Sequence, residues 1–84
     1  MKYNAYLTED LAMPLKNETH MGSANNYRDI CKVINNYLNE HNFYQEPYWR
    51  FLMDPNATLI DFGCWSKFVA IVPPVSNKEM MREN

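Results

Sequence analysis

The chain has 84 residues, with eight Lys and Arg against ten Asp and Glu for a formal net charge of −2, and 46% of it is hydrophobic. That length closes one modest core, so residues 1–84 are expected to form a single domain. The basic residues are scattered, which removes the clustered cationic footprint of a nucleic-acid binder, and no apolar run approaches the roughly 20 residues of a transmembrane helix.

Residues 1–10 lack the apolar segment of a signal peptide, and a cytoplasmic protein with no membrane contact is the expectation. Residues 1–8 alternate weakly, Tyr3, Ala5 and Leu7 against Lys2, Asn4 and Tyr6, which suits a short strand at a sheet edge. Thr8 ahead of Glu9, Asp10, Leu11, Ala12 and Met13 predicts a capped helical turn ended by Pro14. Residues 15–24 mix Gly, Ser, Asn and Thr without a period and read as a loop.

The pattern then becomes helical. Tyr27, Ile30, Cys31, Ile34, Tyr37, Leu38 and His41 share one stripe, with Arg28, Asp29, Lys32, Asn35, Asn36, Asn39 and Glu40 on the other. This predicts one amphipathic helix over residues 26–41, with Ile34 and Leu38 facing a sheet. Ser23, Asn25 or Asn26 can cap it, and Asn42 can supply the left-handed residue that closes it.

Three strands follow a short link: residues 48–53 (YWRFLM), 58–62 (TLIDF) and 67–72 (KFVAIV). Asp54, Pro55, Asn56 and Ala57 have the chemistry of a hairpin turn. Trp49, Phe51 and Met53 share one face of the first strand and are assigned to the core, while Tyr48, Arg50 and Leu52 share the wetter face. The last strand is apolar on both faces and reads as central or covered. Pro73 and Pro74 stop the sheet, and Ser76 with Glu79 matches a capping box that opens a short C-terminal helix. The fold class is α+β: a three- or four-stranded antiparallel sheet with one amphipathic helix packed on a face.

Few residues suggest chemistry. Asp61, Phe62 and Gly63 copy a kinase metal-binding triplet, but nothing else of that set is present, and Gly63 reads as the start of a turn. Cys64, His20, His41 and Asp61 are the residue types of an activated thiol, yet no spacing joins them. Cys31 and Cys64 read as free buried thiols, and two Cys with two His at these separations do not make a zinc site. No cofactor and no metal are expected. Large aromatics beside an arginine dominate binding hot spots. With the core positions subtracted, a candidate protein-binding surface remains: Tyr48, Arg50, Trp65 and Lys67. Trp65 stays divided between core residue and exposed anchor.

As a compact, acidic chain of under ninety residues, rich in Asn and aromatics, with one helix on a small antiparallel sheet, it resembles the accessory proteins of bacteriophages and prophages. Many of those are said to bind and inhibit a host enzyme, anti-CRISPR and other anti-defence proteins among them. The likeness spans the whole length, rests on no motif and transfers no residue roles. It implies a non-catalytic binding protein in the host cytoplasm, whose partner is a larger host or defence protein such as a CRISPR effector. Two other readings stand beside it: a small thiol-dependent enzyme using Cys64, and a nucleic-acid-binding regulator. The composition leaves the oligomeric state open.

Overall fold

The structure, a computed structural model, describes residues 2–9 and 18–82. Along the chain it forms β1 (Tyr3–Thr8), β2 (Thr19–Ala24), α1 (Tyr27–Glu40), β3 (Arg50–Met53), β4 (Thr58–Asp61), β5 (Phe68–Val72) and α2 (Asn77–Arg82). The strands make one sheet in the order β2-β1-β5-β4-β3, and every neighbouring pair is antiparallel.

The sheet therefore has five strands, not three or four. The additional strand is β2, within a stretch that the sequence assigns to a loop. Its Gly22, Ser23 and Ala24 favour strand weakly by themselves. What makes them a strand is the ladder they form on β1, from Tyr3 opposite Ala24 to Leu7 opposite Thr19. The register slips between Ala5 and Tyr6, so Met21 is the extra residue of a bulge. A Cβ on Gly22 would lie 2.5 Å from Val33 Cγ1, so a residue without one is needed for α1 to rest this close.

β1 was expected at an edge and is instead flanked by β2 and β5. Its alternation describes a strand with one face on the core; which strands flank it depends on pairings that the alternation does not encode. Thr8 closes β1, and the capped turn expected after it lies, beyond Glu9, outside the described residues. β5 occupies the centre of the sheet, as its two apolar faces require.

One face of the sheet carries Tyr3, Ala5, Leu7, Ile60, Val69 and Ile71, packed with Ile30, Ile34 and Leu38 of α1. Ile34 and Leu38 are fully buried, as the stripe predicts. Each such side chain contributes roughly 1.5–3 kcal/mol by leaving water. Asn26 caps α1 by accepting the Asp29 N–H through Oδ1 at 2.8 Å, and Asn42 has φ 61°, the left-handed closing residue that the sequence indicates. His41 forms the C-cap; its Nδ1 lies 2.9 Å from Tyr37 O and its ring stacks on Tyr37 at 4.0 Å.

Half of the expected capping box is formed. Ser76 Oγ accepts the Glu79 N–H at 3.1 Å, but the Glu79 carboxylate does not return to the cap. Oε2 accepts the Tyr3 hydroxyl, and Oε1 lies 3.3 Å from the N–H of Tyr27, the first residue of α1. A helix N-terminus offers unsatisfied donors and positive potential, so the carboxylate is drawn there and ties α2 to both α1 and β1.

Candidate functional site

α1 packs mainly over β1 and β2 and meets the β3 end of the sheet through Tyr27, which lies against Phe51. The β3–β4 hairpin turns through an Asx arrangement, with Asp54 donating its N–H to Ala57 O at 3.1 Å and Asp54 Oδ2 accepting the Asn56 N–H at 2.9 Å. Arg50 pairs with Asp61 across the two strands, on the sheet face away from α1.

The chain leaving α1 then crosses the end of β4. Glu46 donates its N–H to Phe62 O at 2.8 Å. Gly63 makes the crossing possible: its φ is 105°, and a Cβ there would lie 2.5 Å from Glu46 Cγ and 3.2 Å from Glu46 N. This contact holds residues 46–49 beside the turn that carries Trp65.

Between the two segments is a groove of about 380 Å³, lined by Glu46, Tyr48, Arg50, Asp61, Gly63, Cys64, Trp65 and Phe68. Trp65 is 98% exposed and Tyr48 86% exposed. Three of the four residues nominated from sequence thus come together here. Lys67 does not line the groove; its ammonium lies 2.6 Å from Glu9 Oε1, and that contact holds the Glu9 carboxyl below the usual carboxylate range.

The neighbouring aromatics behave differently. Trp49 is half-buried, donates Nε1–H to Gln45 Oε1 at 3.1 Å and lies 6.4 Å from Phe51, which meets Tyr27 edge-on at 6.2 Å. Met53, assigned to the core with Trp49 and Phe51, is 51% exposed. It shares their face, but it sits on the edge strand and, unlike Trp49 and Phe51, does not pack on the core cluster.

None of the family models, curated proteins or solved structures compared with this chain matches it. The chemistry of the site has to be read from its own residues.

Cys64 lines the groove between two acids, Asp61 and Glu46, with no histidine among the lining residues. His20 lies on β2, at the opposite edge of the sheet, and His41 caps α1 with its ring against Tyr37. Among the described residues no group of three or more His, Cys, Asp or Glu is placed to hold a metal ion. No helix among them is long and apolar enough to cross a membrane.

One polar cluster is invisible in the sequence. On the open face of β1 and β2, Asn4 Oδ1 lies 2.5 Å from Ser23 Oγ and 3.2 Å from His20 Nε2, and Ser23 Oγ is 3.4 Å from that same nitrogen. The pairing of β1 with β2 creates it. It resembles a serine–histidine dyad only in composition. The Ser23 proton is aimed at Asn4, and when Nε2 donates to the same oxygen it has no lone pair with which to act as a base.

Proposed function

We propose that this protein is a non-catalytic protein-binding module that docks through the groove formed by Tyr48, Arg50 and Trp65. The observation that carries the reading is the exposure of Trp65 and Tyr48, 98% and 86%, in one concave site that also holds an arginine. Trp, Tyr and Arg are the side chains that most often dominate interfaces: Trp and Tyr bury a large area while losing little conformational freedom, and the Arg guanidinium presents a planar set of donors. In a small domain that needs its aromatics for a core, Tyr48 and Trp65 are left in water on the two segments that the crossing at Gly63 brings together.

The groove's charge argues for a protein over a nucleic acid. Glu46 and Asp61 flank Arg50, and the only cation beyond it on the next turn, Lys67, is already paired with Glu9. A polyanion would meet two carboxylates for each free guanidinium. The resemblance to phage accessory proteins supplies the partner class: a larger host or defence protein, met in the host cytoplasm.

Affinity capture from host cells with the wild-type protein and with Trp65→Ala tests this. A target retained by the wild type should be lost, or weakened at least about tenfold, in the variant. The melting temperature should stay unchanged, because the removed ring packs on almost nothing. Equal retention by both proteins would remove the groove from the interface. Tight binding of single-stranded oligonucleotide that falls steeply with salt would transfer the function to nucleic acid.

A further inference from the structure

β3 is an edge strand whose backbone and side chains indicate what pairs with it. Asp54 turns its N–H to β4, donating to Ala57 O at 3.1 Å. Backbone groups alternate from side to side along an antiparallel strand, so Arg50 and Leu52 also face β4, while Phe51 and Met53 direct their N–H and C=O outward. No described strand occupies that side. The other edge, β2, is interrupted by its bulge and packed under α1, two devices that keep an edge from pairing. β3 has neither, and it exposes Leu52 by 46% and Met53 by 51%.

We propose that β3 pairs with β3 of a second copy, antiparallel about a two-fold axis through Leu52, joining the two sheets edge to edge. Charge selects the register. Outward-facing residues must meet outward-facing residues, which allows Phe51 opposite Phe51, Phe51 opposite Met53, or Met53 opposite Met53. The first sets each Arg50 against the aliphatic Leu52, and the last sets each Leu52 against an Asp54. The middle register sets Leu52 against Leu52 and Arg50 against Asp54 at both ends, all on the face away from α1.

The groups needed for this are available. Arg50 has no side-chain partner among the described residues, and Asp54 uses Oδ2 for the Asn56 N–H while Oδ1 has none among them. Phe51 of each copy exchanges backbone bonds with Met53 of the other. Opposite charges placed directly across strands are favourable, and like charges there are not. The joint is short, below the ~1,200 Å² of standard interfaces, so the dimer is of the weak, reversible class. It keeps Tyr48 and Trp65 outward and presents two grooves on one face. It shares Arg50 with the groove, but the backbone pairing and the Leu52 contact do not depend on what the groove binds.

Sedimentation of the full chain over a concentration series tests the proposal. The wild-type mass should climb toward twice the 10.0 kDa of one chain, while Leu52→Lys stays at the single-chain value. Arg50→Glu and Asp54→Lys should each weaken association at least about tenfold, and mixing these two variants should restore it, since each then meets the opposite charge at both ends. Asp54→Asn keeps the turn and removes the charge, so it should weaken the dimer without lowering the melting temperature. Trp65→Ala should dimerise normally, which separates this joint from the target site. A wild type that remains monomeric at millimolar concentration overturns the proposal. So does a Leu52→Lys dimer as tight as the wild type, or folded charge variants that stay apart when mixed.

Discussion

Gly22→Ala is the substitution whose effect the structure specifies most closely. The added methyl would lie 2.5 Å from Val33 Cγ1 and 3.8 Å from Val33 Cβ. The first distance is more than 1 Å inside the ordinary carbon–carbon separation of about 3.5–4.0 Å, and the second is ordinary contact. Gly22→Ala should therefore cost ~1–3 kcal/mol by overpacking, because either α1 lifts off β2 or Val33 leaves its rotamer, and the strain of a side chain at φ 155° adds to it. In a domain of this size that lowers the melting temperature by roughly 4–20 °C. In a Val33→Ala background the offending methyl is gone and the remaining neighbour is the 3.8 Å contact, so the same substitution should lose the overpacking share of its cost and keep only the strain of a side chain at φ 155°. Chemical denaturation of the four proteins of this double-mutant cycle reads the coupling directly. A Gly22→Ala cost that is the same in both backgrounds would place the whole cost in the backbone at φ 155° and refute the overpacking against Val33.

Three further outcomes are expected. Ile34→Ala and Leu38→Ala should each cost on the order of 2–5 kcal/mol in denaturant melts, since both side chains are fully buried between α1 and the sheet. Tyr3→Phe removes the hydroxyl that donates to Glu79 and should cost ~1–2 kcal/mol, while adding nothing further in a Glu79→Met background, where the acceptor is gone. Glu9 is held below its ordinary value first by the Lys67 hydrogen bond and then by the charge of Lys67. A depressed carboxylate contributes stability that is present above its unfolded value and lost as pH falls through its lowered folded value. In Lys67→Met the Glu9 titration, followed by NMR, should return upward to the usual carboxylate range; an unmoved titration would show that the ion pair does not persist in solution.

The sequence by itself determined the elements whose information is local. α1 was legible because its stripe, its Asn26 cap and its Asn42 closure all lie within one short window. The β3–β4 hairpin was legible because the Asx turn is written in Asp54, Pro55 and Asn56, and the central position of β5 was legible because a strand apolar on both faces must be covered on both. Tyr48, Arg50 and Trp65 could be nominated as a surface by subtracting what the core needs. Tertiary structure decided everything that depends on partners distant in sequence. β2 is a strand because β1 pairs with it and because Gly22 admits Val33, neither of which leaves a period in residues 19–24. Glu79 deserts its own cap because Tyr3 and the start of α1 lie nearby only in the folded chain. Whether a tryptophan lies inward or in water was settled by the crossing of Glu46 over Gly63, which turns Trp49 toward Phe51 and leaves Trp65 outside. Met53 shares the face of Phe51 and is still half in water, because alternation assigns a side of the sheet but not the extent of the helix that covers it.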